Sequence, residues 1–227
     1  MTGRPLTFAL PKGRILGPAL ALLRSAGVET GELGQAKDRR LMLDLPDGGR
    51  ALLVKPSDVP TYVEHGVADL GIAGSDTLRE QGRDLYEPVD LGIGACRLAV
   101  AEPTDRPARL RRGMRLRVAT KYPRLARRHY RSKGISPEII PLYGSVELGP
   151  ITGLADQIVD LVESGETLRQ NRLVEVETVM HVTSRLIVHP ASLKLEPGPV
   201  ARIIDALRSV VRGTDAAGEP RKAVGTR

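Results

Sequence analysis

The sequence predicts an α/β protein built as two lobes around a cleft. Three observations carry that expectation. Over residues 1–85, short apolar runs of strand length alternate with apolar residues at helical spacing. The same alternation restarts near Leu91. A strand-rich stretch and an amphipathic segment then close the chain, placed to return to the first half.

The elements follow in order. Leu6 to Leu10 reads as a short apolar strand, followed by PKGR and a helix from about Ile15 to Ala26 that Gly27 stops. Leu41 to Leu45 and Ala51 to Val54 flank Pro46-Asp47-Gly48-Gly49, the pattern of a hairpin. Ser57 is expected to cap a helix running to His65, and Asp69 to Ala73 is a strand. Ser75 is expected to cap a short helix that Gly82 ends.

In the second half, Arg97 to Ala101 and Arg115 to Thr120 read as strands, and Pro123 opens a helix to about Lys133. Glu138 to Leu142 is a strand, Ser145 to Ala155 a helix, and Ile158 to Val162 a buried strand. Leu173 to Val188 is strand-rich, and Pro199 to Val211 is an amphipathic helix. The lobes are then residues 1–90 with 180–212, and residues 91–179, with 213–227 a polar disordered tail.

Composition narrows the function classes. Aromatics are 3% of 227 residues, with no Trp and one Phe, so the core is made of Leu, Val, Ile and Ala. The single cysteine, Cys96, excludes an internal disulfide and fits a reducing, cytoplasmic setting. Its apolar surroundings, GIGACRLAV, read as a buried inert thiol. No window approaches the roughly 18 apolar residues of a membrane span, and the first apolar run is too short for a signal peptide.

The net charge is +7, with basic clusters at Arg106–Arg117 and Lys121–Lys133. These read either as solvated faces or as groups for a polyanion or a phosphate-rich small substrate. The scarcity of aromatics argues against single-stranded nucleic acid, and no docking motif for DNA or RNA is visible. The four histidines are scattered without zinc-site spacing, and no Ser-His-Asp or Cys-His set stands out.

The most informative segment is Ile158-Val159-Asp160-Leu161-Val162-Glu163-Ser164-Gly165-Glu166-Thr167-Leu168. A buried strand enters a small polar loop and then a helix start. Such a loop gathers backbone N–H groups toward one point, where a phosphate fits. Gly165 permits close approach, and Ser164 and Thr167 add hydroxyl donors. The acids suit ribose hydroxyls or Mg²⁺ rather than phosphate. On spacing alone, an ordinary strand-turn-helix with a capping Thr explains the segment equally well.

The surrounding residues make the segment recognisable. GSVELGPITGLADQIVDLVESGETLRQNRLVEVE (144–177) resembles the phosphoribosyl-pyrophosphate (PRPP) segment of ATP phosphoribosyltransferases. LPKGRI near the start, DVPTYVEHGVADLGIAGSDTL (58–78) and VATKYPRLARRHYRSKGI (118–135) are similar to that family's other blocks, in the same order, over about residues 5 to 212. The resemblance implies a fold of the type II periplasmic-binding-protein class, with the active site in the cleft between an ATP-side first lobe and a PRPP-binding second lobe.

By that resemblance Glu163, Ser164, Gly165, Glu166, Thr167 and Leu168 hold the 5-phosphate of PRPP. Asp156 and Asp160 fall on positions for ribose or Mg²⁺ and Glu147 lies near the same site, although Asp156 reads as well as a helix-end charge and Glu147 as a first-turn acid. Lys12 and Arg14 meet the ATP phosphates or the pyrophosphate. Asp69, Gly74 and Asp76 lie on the nucleotide side, Asp76 reading equally as a helix-start acid. Lys55 stands where the family usually carries Arg, keeping the charge but not the bidentate fork, so either Lys55 substitutes adequately or Arg39 or Arg40 shares its role.

The implied reaction is attack by N1 of the ATP adenine on C1 of the ribose as pyrophosphate leaves. It uses Mg²⁺ held mainly by substrate phosphates and proceeds without a covalent enzyme intermediate. The length resembles the short catalytic form, which implies homo-oligomers and a partner regulatory subunit related to histidyl-tRNA synthetase. The competing classes are a solute-binding module of the same fold, a nucleobase-salvage phosphoribosyltransferase, which lacks the LPKGR and ADLGIAGSD blocks, and a basic nucleic-acid binder, whose affinity falls steeply with salt.

Overall fold

The computed structural model of the chain describes residues 4–33, 40–108 and 115–217, with side chains described to 213. Two compact units emerge: Met1–Gly74, Arg83–Gly94 and Thr183–Arg227 form unit 1, and Ser75–Gly82 with Ala95–Val182 form unit 2. The expected lobes differ from these units chiefly at Ser75–Gly82, a short helix that belongs with unit 2.

Unit 1 contains β1 (Thr7–Pro11), α1 (Leu16–Ser25), β2 (Met42–Asp44), β3 (Arg50–Val54), α2 (Val59–Glu64) and β4 (Leu70–Gly74). Its six-stranded sheet has the order β2-β3-β1-β4-β11-β5, with β5 at Tyr86–Asp90 and β11 at Ser184–Val188. β1 runs parallel to β3 and β4, so their carboxyl ends share one edge. β2 pairs antiparallel with β3 across the Pro46–Gly49 turn, as the hairpin pattern requires.

Alternation along the strands decides what covers each face. Phe8 and Leu10, Leu70 and Ile72, and Leu186 and Val188 face a core shared with Ala19, Leu20 and Leu23 of α1. Val200, Ile204 and Leu207 of α8 (Pro197–Ala217) complete that core. The residues between them on β1 and β4 are small. Gly71 explains why: a Cβ there would sit 2.8 Å from Val63 and 2.9 Å from Val59 of α2. The glycine of the DLGIA strand is thus set by close helix packing on its second face.

Unit 2 contains α3 (Ser75–Gln81), β6 (Cys96–Pro103), β7 (Arg117–Thr120), α4 (Pro123–Ser132), β8 (Glu138–Pro141), α5 (Leu148–Ile151), β9 (Gln157–Val162), α6 (Glu166–Gln170) and β10 (Leu173–Val182). The sheet order is β10-β6-β9-β7-β8. β7 is parallel to β8 and β9, while β6 runs antiparallel to β9 and β10. Leu98, Val100, Val118 and Val159 pack with Leu125, Ala126 and Tyr130 of α4 on one face. Ala99, Ala101, Ala119, Ile158 and Val162 pack with Val146 and Leu168 on the other.

Several local expectations change. α2 takes Asp58, not Ser57, as its N-cap, and no side chain caps it. The helix expected over Ser145–Ala155 shortens to the single turn of α5, because Pro150 and Gly153 (φ 75°) interrupt it. β5 and α7 (Pro190–Leu195) were not anticipated. α8 runs to Ala217, past the expected stop at Val211; of the proposed tail, 218–227 lies outside the described residues. Cys96 is half-buried rather than enclosed. No helix among the described residues is long and apolar enough to cross a membrane.

Candidate active site

In unit 1 the candidate groups gather at the carboxyl ends of the parallel strands, the edge where α/β sheets present ligand sites. Lys12 follows β1 and Lys55 follows β3; Pro11 pairs with Val54, and the Lys12 N–H donates to the Val54 carbonyl at 2.8 Å. Both lysines are exposed, and among the described residues neither ammonium has a side-chain partner. Gly13 turns the chain at φ 90°, which carries exposed Arg14 beyond the strand end. Gly74 closes β4 at this same edge. Arg40 is exposed, and Arg39 lies outside the described residues.

Asp69 is not at this edge. It precedes β4, at the opposite end from Gly74 and roughly 16 Å away by strand rise, and is only 3% exposed. Its carboxylate accepts the Thr7 N–H at 2.8 Å, a guanidinium N–H of Arg4 and the Ser192 hydroxyl. A carboxylate so enclosed ties β1, β4 and α7 together. The expectation that Asp69 faces a nucleotide gives way to a structural role.

Asp76 lies in the first turn of α3 and is 5% exposed. The Tyr122 hydroxyl donates to it at 2.8 Å. Burial, then the Asp76 charge and this hydrogen bond, hold the Tyr122 phenol protonated far above its ordinary range. Tyr122 is itself fixed: its N–H donates to Thr120 Oγ1 at 2.8 Å, and that hydroxyl donates to the Val159 carbonyl at 2.6 Å. The side chain of Asp76 is therefore positioned by β7 and β9 rather than by its own helix.

The loop after β9 has the form expected of an anion seat. Gly165 adopts φ 77°, a left-handed conformation that favours glycine, and is the N-cap of α6. Glu163, Ser164, Glu166 and Thr167 are exposed, while Leu168 anchors the segment in the core. The Glu166 N–H donates to Ser164 Oγ at 3.3 Å, and the Asn171 amide donates to the Thr167 carbonyl at 2.8 Å. Among the described residues, the N–H groups of Gly165, Thr167 and Leu168 are left open at the helix start. Glu166 turns back along its helix to Arg169 and Gln170, which hold its carboxyl below the usual range.

Two acids at opposite ends of β9, Asp156 just before it and Asp160 within it, part company. Asp160 shares the face of Ile158 and Val162 near the carboxyl end. Burial foremost pushes its carboxyl above the ordinary range; the Leu161 N–H opposes the shift, Glu147 adds to it and Lys121 opposes it. Glu147, the N-cap of α5, is thus within electrostatic reach of Asp160. Asp156 lies at the other end of β9. Arg117 donates to it from its guanidinium at 2.7 and 3.3 Å and from its backbone N–H at 2.9 Å. The Arg117 hydrogen bonds hold Asp156 below its usual range. The structure brings Asp160, Glu147 and the loop together and leaves Asp156 as a brace between β7 and β9.

The sequence reading passed over two groups here. Lys121 follows β7 and, by the Thr120–Val159 register, stands beside Asp160. Its signal was available: like Lys12, it directly follows a short apolar strand. Tyr122 was legible only as an apolar residue, because its role depends on Asp76, 46 positions away.

Comparisons with known proteins point to one family. The family model described as HisG: ATP phosphoribosyltransferase matches residues 55–209. The ATP phosphoribosyltransferase of Sorangium cellulosum is 51% identical over 211 residues, 92% of this chain and 98% of its own. That of Halorhodospira halophila is 51% identical over 213 residues, 93% and 98% of the two chains. A solved chain of the ATP phosphoribosyl transferase (HisG:HisZ) complex from Thermotoga maritima is 34% identical, with a TM-score of 0.79 over 92% of this chain and 99% of that one. A probable amino-acid ABC transporter extracellular-binding protein, ytmK of Bacillus subtilis, gives a TM-score of 0.59 over 94% of each chain at 10% identity, a likeness of fold alone. With a family model spanning most of its length and relatives matched almost end to end, the chain belongs to the ATP phosphoribosyltransferase family.

Proposed function

We propose that this chain transfers the phosphoribosyl group of PRPP to N1 of the ATP adenine, giving phosphoribosyl-ATP and pyrophosphate, the first step of histidine biosynthesis. The observation that carries this reading is the open, glycine-turned loop 163–168 with Asp160 beside it, at the carboxyl edge of a parallel β7–β9 pair.

The N1–C1 bond forms as the C1–O bond to pyrophosphate breaks, so positive charge grows on the ribose and negative charge on the leaving group. The backbone N–H groups of Gly165, Thr167 and Leu168 and the hydroxyls of Ser164 and Thr167 hold the 5-phosphate. Asp160 and Glu147 face the ribose, where carboxylate charge stabilises the growing cation. Lys12, Arg14 and Lys55 meet the anionic phosphates of ATP or the departing pyrophosphate, and Gly74 and Asp76 belong to the nucleotide side. Positioning of two bound substrates supplies the rest.

Mg²⁺ fits this donor set. Among the described residues no group of three or more His, Cys, Asp or Glu is placed to hold a metal ion. Asp160 and Glu147 are hard oxygen donors that would hold it, with substrate phosphates and water supplying the remaining ligands. When bound it supplies charge neutralisation at the pyrophosphate.

The reading includes a cytoplasmic setting, which the lone thiol of Cys96 supports. It also includes a homo-oligomer working with a histidyl-tRNA-synthetase-like regulatory subunit. The match to 99% of a chain from a HisG:HisZ complex supports that partnership. The test is an assay with ATP, PRPP, Mg²⁺ and pyrophosphatase, with and without that subunit. Phosphoribosyl-ATP that needs both substrates and rises with the subunit is the expected result; no product under either condition overturns the reading.

A further inference from the structure

We infer that Arg97 is a positioning residue that sets the first turn of the PRPP loop through its tie to Glu175; this rests on the reading of residues 163–168 as the 5-phosphate seat. Arg97 is the second residue of β6 and pairs in register with Val162, the last residue of β9. Its guanidinium is divided between two acceptors. Nε donates to both Glu175 oxygens at 2.8 Å and Nη2 donates to Glu175 Oε2 at 2.6 Å. Nη1 points the other way and donates to the Glu163 carbonyl at 3.1 Å.

That carbonyl belongs to the first residue after the strand, at the point where the chain leaves the sheet for the Gly165 turn. Holding it fixes the peptide plane between Glu163 and Ser164, and so the direction of the Ser164 N–H. Glu175 is oriented in turn by the Thr178 hydroxyl at 3.1 Å. The pair is tight enough that the Arg97 hydrogen bond holds the Glu175 carboxyl below its usual range. Arg97 and Glu175 are about one-third and one-fifth exposed, so water does not dissolve the tie. Three strands, β10, β6 and β9, thereby converge on one loop carbonyl through a planar fork.

The fork separates positioning from stability. Lysine has a single ammonium without that planar geometry. Arg97→Lys retains the partnership with Glu175 across the β6–β10 ladder but releases the Glu163 carbonyl. The experiment is steady-state kinetics and thermal melting of the full chain with its regulatory subunit, for Arg97→Lys, Arg97→Ala and Thr167→Val. The expected result for Arg97→Lys is a melting temperature near that of the parent, KM for PRPP raised about tenfold, and KM for ATP and kcat within about twofold. Arg97→Ala shows the same split and also melts lower.

The inference is overturned if Arg97→Lys leaves KM for PRPP unchanged, or if the KM values for both substrates rise together. Thr167→Val keeps the two levels of argument apart. If it raises KM for PRPP while Arg97→Lys does not, the phosphate seat stands and the tie fails; if neither moves that KM, the seat itself is misplaced.

Discussion

Asp156 and Asp160 stand four residues apart, the first just before β9 and the second within it, and each has a basic residue beside it: Arg117, which opens β7, by Asp156 and Lys121, which follows β7, by Asp160. The first pair is closed. Arg117 grips Asp156 with guanidinium and backbone N–H together, and the acid is held below its usual range. The second is open. Among the described residues Lys121 makes no ion pair, and Asp160 is pushed above its usual range by burial. The same chemistry thus holds strands together at the amino edge and, among the described residues, forms no ion pair at the carboxyl edge. Unit 1 repeats the division, with Asp69 enclosed at the amino end of β4 and Lys12 and Lys55 open at the carboxyl ends of β1 and β3. Unsatisfied charge at one edge of a sheet marks where a ligand supplies the partner.

The contrast breaks most visibly by substitution of the open acid. Asp160→Asn is expected to lower kcat/KM about 100- to 1000-fold, some 3–4 kcal/mol of transition-state stabilisation, with melting unchanged or slightly raised. Asp69→Ala is expected to do the reverse. It strands the Thr7 N–H and the Ser192 hydroxyl, costs about 2–3 kcal/mol and lowers the melting temperature by about 5–10 °C, while KM values of the folded fraction stay within about twofold.

The open lysines sharpen the comparison further. Lys12→Ala and Lys55→Ala are each expected to lower kcat about 10- to 100-fold without a change in melting, measured in the coupled pyrophosphate assay. Lys55→Arg retains or raises activity, because the fork adds a second donor to the same anionic group.

The smallest effect is on pH dependence, and its sign differs between the two acids. Asp156 has a lowered folded-state value. Its contribution is present above the ordinary carboxylate range and lost as pH falls through the lowered value, about 0.5–1 kcal/mol for a pair this exposed. Asp160 has a raised value. Its protonated form is favoured in the folded chain, so any stability it adds is lost as pH rises through the raised value. Activity moves oppositely: kcat/KM falls on acidification at a pH above the ordinary Asp range. A pH–rate profile alongside acid melts of the parent and Asp156→Asn separates these limbs.

Much of this was legible in sequence. Strand-length apolar runs and the PDGG turn placed most elements because their periods are local. The loop 163–168 was legible because Gly165, Ser164 and Thr167 act through their own backbone. What the sequence could not reveal was which end of a strand an acid occupies in a ligand's view. Asp69 and Asp156 precede strands while Asp160 lies near the carboxyl end of one, and only partners distant in sequence, Ser192 for Asp69 and Arg117 for Asp156, decide between brace and site. β5 was missed because Tyr86-Glu87-Pro88-Val89-Asp90 has little apolar character; it is a strand through pairing with β11, about 100 residues later. α5 is shorter than the helical spacing of Ser145–Ala155 suggests because Pro150 and Gly153 interrupt that spacing.

The most direct test of the account is a side-by-side measurement of phosphoribosyl-ATP formation and thermal melting for Asp160→Asn and Asp156→Asn, with the regulatory subunit, ATP, PRPP and Mg²⁺. The account predicts that Asp160→Asn melts normally and loses nearly all turnover, whereas Asp156→Asn melts lower and turns over at the parent rate once folded. Turnover lost in Asp156→Asn and kept in Asp160→Asn would contradict it, and would place the working edge of unit 2 at the opposite end of its sheet.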